Sequence, residues 1–125
     1  MAKLTGKRVL VVEDEALVSM LVEDTLLDKG AKIVGPAATV YDALRLIDEA
    51  QVDGAVDAAV LDLNLGGEIA IPVADKLCAS GIPFLIATGY GENCDTGGHM
   101  AAPVLPKPFD PDVLVTAVTA LTAER

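Results

Sequence analysis

The sequence predicts an α/β fold in which one parallel β-sheet carries helices on both faces. Short, continuous apolar runs alternate along the whole chain with segments of helical periodicity. Runs of this kind are typical of strands that are buried on both faces, as in parallel sheets. Hydrophobic residues make up 52% of the 125 residues but aromatic ones only 3%, so the core must be packed from aliphatic side chains. The length fits one domain.

A strand, a helix and a second strand open the chain. Residues 8–12 form a β-branched apolar run, which predicts a buried strand. The helix that follows ends at the Lys-Gly pair 29–30. Its predicted packed face consists of Val18, Leu21, Val22 and Leu26. A second strand is expected at 31–34, broken by the Gly-Pro pair 35–36.

The second helix has the clearest start signal. Thr39 offers a capping hydroxyl, and Asp42 stands three residues later. Its apolar stripe is Val40, Ala43, Leu44 and Ile47. A third strand is expected at 58–61, and the Gly-Gly pair 66–67 predicts a loop.

The remaining elements repeat the alternation. A third helix has Pro72 near its first turn, with Ala70, Val73, Ala74 and Leu77 on one stripe. Strands are expected at 83–87 and 104–105. A last helix starts at 110–111 and aligns Leu114, Ala117, Val118 and Leu121. The glycine-rich segment 89–102 supports at most a short helix.

Charge and composition exclude several classes of function. The formal net charge is −10, which repels nucleic-acid phosphates and anionic lipids. We therefore expect no nucleic-acid or membrane partner. Cys78 and Cys94 match no metal-ligand spacing. The first seven residues are short and polar, unlike a signal peptide, and no apolar run approaches the roughly 20 residues of a membrane span. The sequence indicates a cytoplasmic protein.

Polar residues follow four of the five predicted strands. Right-handed crossovers place the carboxyl ends of parallel strands at one edge, where open α/β sheets bind ligands. The residues expected at this edge are Glu13, Asp14, Glu15, Asp62, Thr88 and Lys107. Clustered carboxylates favour a hard cation, and Mg²⁺ takes one or two carboxylates together with phosphoryl oxygens. Asp62 could then attack phosphorus, while Thr88 and Lys107 stabilise the phosphoryl oxygens.

Over nearly its whole length the sequence resembles the receiver domain of two-component response regulators. The matching stretches are VVEDE at 11–15, VLDLNL at 60–65, ATG at 87–89 and LPKPF at 105–109. The resemblance implies a flavodoxin-like, five-stranded parallel sheet of order 2-1-3-4-5. It further implies a phosphorelay role, with the phosphoryl group coming from a histidine kinase or a phosphotransfer protein. We expect one receiver domain over 1–125, without an output domain, acting on a protein target.

The resemblance also assigns the site residues. Asp62 is the phospho-acceptor and, with Glu13, Asp14 and the backbone carbonyl of Asn64, it binds Mg²⁺. Thr88 and Lys107 bind the phosphoryl group, and the Lys107–Pro108 bond is expected to be cis. Such a receiver promotes its own phosphorylation and dephosphorylation and is not a turnover enzyme.

Three features depart from the family pattern. Leu65-Gly66 replaces the usual Met-Pro, so we expect a more flexible loop after the acceptor strand. Val104 replaces the aromatic residue that reports phosphorylation. Tyr90 instead follows Thr88 by two residues, in a stretch similar to the single-domain receivers called FAT GUY. That similarity implies a switching role for Tyr90.

Two other functions remain possible from the residues alone. A phosphohydrolase similar to haloacid dehalogenases would carry a second Asp two residues after the nucleophile, but Asn64 stands there. A phosphate-independent binding module is the second alternative. The presence of Glu13, Asp14, Asp62, Thr88 and Lys107, which such a module would not need, argues against it. Steady turnover of phosphomonoesters would support the first alternative, and indifference to Mg²⁺ and phosphodonors the second.

Overall fold

The computed structural model describes residues 4–53, 56–88, 102–106 and 110–123. In chain order the elements are β1 (Arg8–Val12), α1 (Ala16–Asp28), β2 (Lys32–Ala37), α2 (Val40–Asp53), β3 (Ala58–Asp62), β4 (Asn64–Leu65), β5 (Glu68–Ile69), α3 (Ile71–Ala79), β6 (Phe84–Thr88), β7 (Val104–Pro106) and α4 (Pro111–Ala123). None of the helices in these ranges is long and apolar enough to cross a bilayer. The short helix considered within 89–102 falls, apart from Ala102, outside the described residues.

Five strands form one sheet in the order β2-β1-β3-β6-β7. All four neighbouring pairs run parallel. With β6 and β7 as the fourth and fifth strands, this is the expected 2-1-3-4-5 order, and the fold prediction is confirmed. The short strands β4 and β5 lie outside this sheet and pair with each other as an antiparallel hairpin.

Two layers of aliphatic side chains hold the helices to the sheet. Alternate residues of each strand point to opposite faces. The core beneath α2 and α3 includes the fully buried Leu10, Ile47, Leu61, Leu77 and Ile86. The core beneath α1 and α4 includes Val9, Val11, Leu26, Leu85 and Leu114, also fully buried. Side chains of this size contribute about 1.5–3 kcal/mol each when buried, so both faces of the sheet stabilise the fold.

The starts of α2 and α3 agree with the sequence signals. The amide of Asp42 donates to the hydroxyl oxygen of Thr39 at 3.0 Å, which confirms the predicted cap of α2. Pro72 lies in the first turn of α3, where its missing N–H leaves no helical hydrogen bond unmade.

The packed face of α1 differs from the prediction. Ser19, Val22 and Leu26 are buried, whereas Leu21 is 40% exposed. Leu17 and Met20 are more exposed still. Because α1 is apolar on nearly all sides, the spacing of its leucines and valines does not reveal which stripe packs against the sheet.

The sequence suggested that the second strand ends at the Gly-Pro pair 35–36, but the structure shows that it does not. β2 continues through it to Ala37, with a register shift against β1 between Leu10 and Val12. β2 is an edge strand that pairs only with β1 in this sheet. A proline in it therefore cannot remove hydrogen bonds to two neighbouring strands. Gly35 itself has φ of +98°.

We expect Gly35→Ala to lower the free energy of unfolding by about 3 kcal/mol. A left-handed alanine costs about 1–2 kcal/mol, and overpacking costs about 1–3 kcal/mol. The added Cβ would lie 3.0 Å from the Ala37 nitrogen and 3.1 Å from the Val11 oxygen, both backbone atoms. Gly81→Ala is the matched control, because Gly81 has φ of +72° and nothing within 4 Å of its Cβ position. Equal losses for both variants in urea unfolding would contradict this steric argument.

Candidate functional site

Four carboxylates meet where β1 and β3 end. β1 and β3 are neighbours in register, with Val12 opposite Leu61. The acidic run that follows β1 therefore lies beside the last residue of β3. One carboxylate oxygen from each of Glu13, Asp14, Glu15 and Asp62 lies within 4.8 Å of one from every other. The sequence predicted this convergence because right-handed crossovers place the carboxyl ends of parallel strands at one edge.

The site has a buried floor and an exposed rim. Asp62 is only 4% exposed and Glu13 only 5%, while Asp14 and Glu15 are exposed. Two buried carboxylates beside two further acids bring several groups of like charge into a small volume, where they repel one another. Solvent reaches the exposed pair, so a small cation could enter from that side.

Backbone amides orient three of the four carboxylates. Glu15 donates to Oε2 of Glu13 at 3.1 Å, and Asn64 donates to Oδ1 of Asp62 at 3.0 Å. Gly66 donates to Oδ2 of Asp14 at 2.8 Å, across 52 positions of sequence. Each of these bonds holds one oxygen and fixes the direction of the other.

The segment after Asp62 is a tight hairpin, where the sequence indicated only a loop at the Gly-Gly pair 66–67. Leu65 and Glu68 face each other across Gly66 and Gly67, which have φ of +62° and +94°. Two consecutive positive φ values are typical of a type I′ turn, whose twist suits a hairpin. A two-residue Gly-Gly connection is a known signal for this turn, so the pair 66–67 could have indicated the hairpin from the sequence.

The hairpin also orients the backbone of Asn64. Ala70 donates to the carbonyl of Leu63 at 2.7 Å, so Asn64 and Ile69 form the non-hydrogen-bonded pair of the ladder. The N–H and C=O of Asn64 therefore point away from Ile69, and its N–H reaches Asp62.

The other predicted site residues are only partly described. Ala87 lies opposite Asp62 in the register of β6 and β3, and Thr88 is the next residue of β6. The backbone of Thr88 is thus at the same edge, but its side chain lies outside the described part of the chain. Lys107, its bond to Pro108 and Tyr90 also lie outside it. Val104 is described and is 39% exposed.

The donor set fits a hard cation. It offers carboxylate oxygens, which Mg²⁺ and Ca²⁺ prefer over nitrogen or sulfur. Among the described residues, neither histidine nor cysteine contributes to the cluster. A divalent cation would also offset the repulsion among the four acids.

Comparisons with known proteins agree with this arrangement. The chain is 29% identical over 118 residues to the transcriptional regulatory protein PdtaR of Mycobacterium tuberculosis, covering 90% of this chain and 55% of PdtaR. It is 30% identical over 104 residues to the phyllosphere-induced regulator PhyR of Methylorubrum extorquens, covering 82% of this chain and 39% of PhyR. The chain thus spans about half the length, or less, of these curated relatives.

A solved structure covers almost the whole chain. The solution structure of SdrG from Sphingomonas melonis Fr1 is 43% identical, has a TM-score of 0.78, and is matched over 97% of this chain and 98% of that one. The model of the response regulator receiver domain matches residues 9–119, a span that contains the acidic cluster and all five sheet strands except Arg8. The chain therefore belongs to the family of response regulator receiver domains.

Proposed function

We propose that Asp62 accepts a phosphoryl group from a histidine kinase or a phosphotransfer protein, with Mg²⁺ bound beside it. Receiver domains are phospho-acceptors in two-component signalling. The observation that carries the residue assignment is the nearly buried carboxylate of Asp62, which ends β3 within 4.8 Å of three other carboxylates. By this proposal Glu13, Asp14, Asp62 and the carbonyl of Asn64 bind the cation.

We assign the nucleophile to the carboxylate of Asp62, whose Oδ1 accepts the amide of Asn64. Attack would form a bond between an Asp62 carboxylate oxygen and phosphorus while the bond from phosphorus to the donor's nitrogen or oxygen breaks, and the leaving group would depart with that electron pair. A bound Mg²⁺ supplies positive charge to the phosphoryl oxygens, which is the main requirement of phosphoryl transfer.

Thr88 and Lys107 complete the proposed site. Thr88 ends β6 beside β3, and Lys107 directly follows β7. A hydroxyl and an ammonium group at these positions would stabilise the remaining phosphoryl oxygens. We also propose Tyr90 as the residue that responds to phosphorylation, since the exposed Val104 offers no aromatic ring for that role. The phosphorylated form would then bind a protein target.

The exposed apolar face of α1 supports docking of the phosphodonor protein. α1 begins at Ala16, two residues after Asp14, so its first turns border the site. Leu17 is 82% exposed and Met20 56% exposed. Large exposed apolar side chains are typical of protein-protein contacts. Histidine kinases present their phosphohistidine in the cytoplasm, and the proposal places this protein there.

We expect the double variant Leu17→Gln, Met20→Gln to slow phosphoryl transfer from a protein donor about tenfold, because interface anchors contribute more than about 1 kcal/mol each. The protein donor is chosen by comparing phosphohistidine proteins and taking the one that transfers its phosphoryl group to the wild type fastest. Phosphorylation by acetyl phosphate should stay unchanged, since that molecule needs no docking surface. Tyr41→Gln is the control, because Tyr41 is 74% exposed on α2, across the sheet. Equal slowing with both donors would contradict docking at α1.

By this proposal each protein molecule accepts one phosphoryl group and does not turn over substrate as a phosphohydrolase does. A hydrolase of the haloacid dehalogenase type uses a carboxyl group two residues after the nucleophile, and Asn64 cannot transfer a proton there. Its side-chain oxygen instead accepts the amide of Gly67 at 2.9 Å. Steady hydrolysis of p-nitrophenyl phosphate by the purified protein would contradict this part of the proposal.

The direct test is intact mass after incubation with acetyl phosphate and Mg²⁺. One added phosphoryl group, lost when EDTA replaces Mg²⁺, is the expected result. Beryllofluoride serves as a second probe, since it binds receiver sites without transfer chemistry. Failure of both probes would contradict the phospho-acceptor proposal.

A further inference from the structure

We propose that the backbone N–H of Gly66 is a positioning group that sets the cation affinity of the site by holding the Asp14 carboxylate. This inference rests on the proposed function, because it takes Asp14 to be a ligand of Mg²⁺. Gly66 belongs to the β4–β5 hairpin, and its amide donates to Oδ2 of Asp14 at 2.8 Å. It touches no phosphoryl group itself and acts through Asp14.

The turn type places the N–H where Asp14 can accept it. Gly66 and Gly67 both have positive φ, which residues with a Cβ adopt at a cost. The hairpin is in turn anchored at its base, where Ala70 donates to the carbonyl of Leu63 at 2.7 Å. The direction of the Gly66 amide is therefore fixed by the turn and not by contact with the cation site.

Asp14 needs such a partner because, within the described part of the chain, no other hydrogen bond or ion pair restrains its exposed side chain. It lies within 4.8 Å of the carboxylates of Glu13, Glu15 and Asp62, and their repulsion favours rotation into solvent. A hydrogen bond to Oδ2 keeps the carboxylate in the cluster and leaves Oδ1 for the cation. Groups that orient metal ligands in this way typically change metal affinity about 10–100-fold when removed.

The same turn reaches the acceptor as well. Gly67 donates to the side-chain oxygen of Asn64 at 2.9 Å, and Asn64 donates to Asp62 at 3.0 Å. The two turn glycines thus orient a carboxylate from each side of the cleft, Asp14 directly and Asp62 through Asn64. Gly66, which departs from the family pattern, thus supplies an N–H that the usual proline would lack.

The test compares two substitutions at one position. Gly66→Pro deletes the N–H and excludes positive φ, whereas Gly66→Asn keeps the N–H and suits a type I′ turn. The asparagine Cβ would lie 3.8 Å from Oδ2 of Asp14, an ordinary contact. We expect Gly66→Pro to weaken Mg²⁺ binding in calorimetric titration about 10–100-fold, and Gly66→Asn to retain the wild-type affinity.

Amide exchange in the wild type tests the same contact without relying on the proline variant to fold. In Mg²⁺-free protein we expect the Gly66 amide to be protected, and Asp14→Ala to remove that protection while Gly67 keeps its own. Equal Mg²⁺ affinities for wild type and Gly66→Pro, or equal losses for both Gly66 variants, would overturn the positioning role. An unprotected Gly66 amide in the wild type would overturn it too. Absence of Mg²⁺ binding by the wild type would instead contradict the proposed cation site.

Discussion

Asp62→Asn is expected to abolish phosphoryl incorporation. The wild type should gain the mass of one phosphoryl group from acetyl phosphate with Mg²⁺, and the variant none, because an amide oxygen is a poor nucleophile toward phosphorus. The variant should fold normally, since an asparagine oxygen can still accept the amide of Asn64 that now bonds Asp62. Intact mass spectrometry measures the adduct, and circular dichroism checks the fold.

Asp57→Asn is the matched control for this loss. Asp57 directly precedes β3, at the opposite end of the strand from Asp62, and accepts the amide of Arg8 at 2.9 Å. The same chemical change there should leave phosphorylation intact. A phosphoryl adduct on Asp62→Asn at the wild-type level would show that another residue is the acceptor.

Removing the Asp14 carboxylate is expected to have the second largest effect. Mg²⁺ at a hundred times its dissociation constant should raise the free energy of unfolding of the wild type by about 2.7 kcal/mol. Asp14→Asn should weaken Mg²⁺ binding at least about a hundredfold, since loss even of residues that only orient a ligand costs about 10–100-fold. At the same Mg²⁺ concentration the stabilisation would then fall to about 0.4 kcal/mol or less. Thermal unfolding with and without Mg²⁺ measures both proteins.

The variant Glu15→Gln tests whether cation binding depends on coordination by particular carboxylates or only on negative charge. Glu15 lies in the same cluster and is exposed like Asp14, but it is not assigned as a ligand. If cation binding depends on coordination, Glu15→Gln should retain most of the Mg²⁺ stabilisation. Equal loss in the two variants would mean that the cluster attracts cations only through its summed charge.

The alternation of strands and helices was predictable because each signal is local. The β-branched run of β1 and the cap at Thr39 depend on neighbours within a few residues. The strand order needed the family resemblance, since periodicity does not say which strands pair. The meeting of Asp62 with Glu13 and Asp14 then followed from the parallel direction of β1 and β3.

Most of the features that the sequence did not predict depend on distant contacts. β2 continues through Gly35 because it is an edge strand, a property that its own sequence does not reveal. Leu21 is exposed because α1 has apolar residues all round and the sheet selects only one stripe. The hydrogen bond from Gly66 to Asp14 joins positions 52 residues apart. The two glycines could have indicated a hairpin, but not the carboxylate that it holds.

The place of β1 in the sheet also bears on assembly during synthesis. β1 is made first and pairs on both sides, with β2 and β3, while β6 and then β7 add beyond β3. Once β2 has paired with one side of β1, the remaining strands add on the other side in the order of their synthesis. β1 and β3, which bring Glu13 and Asp62 together, are both complete before Lys107 has been made. During that interval we expect cations of the cell to supply the counter-charge for the four carboxylates.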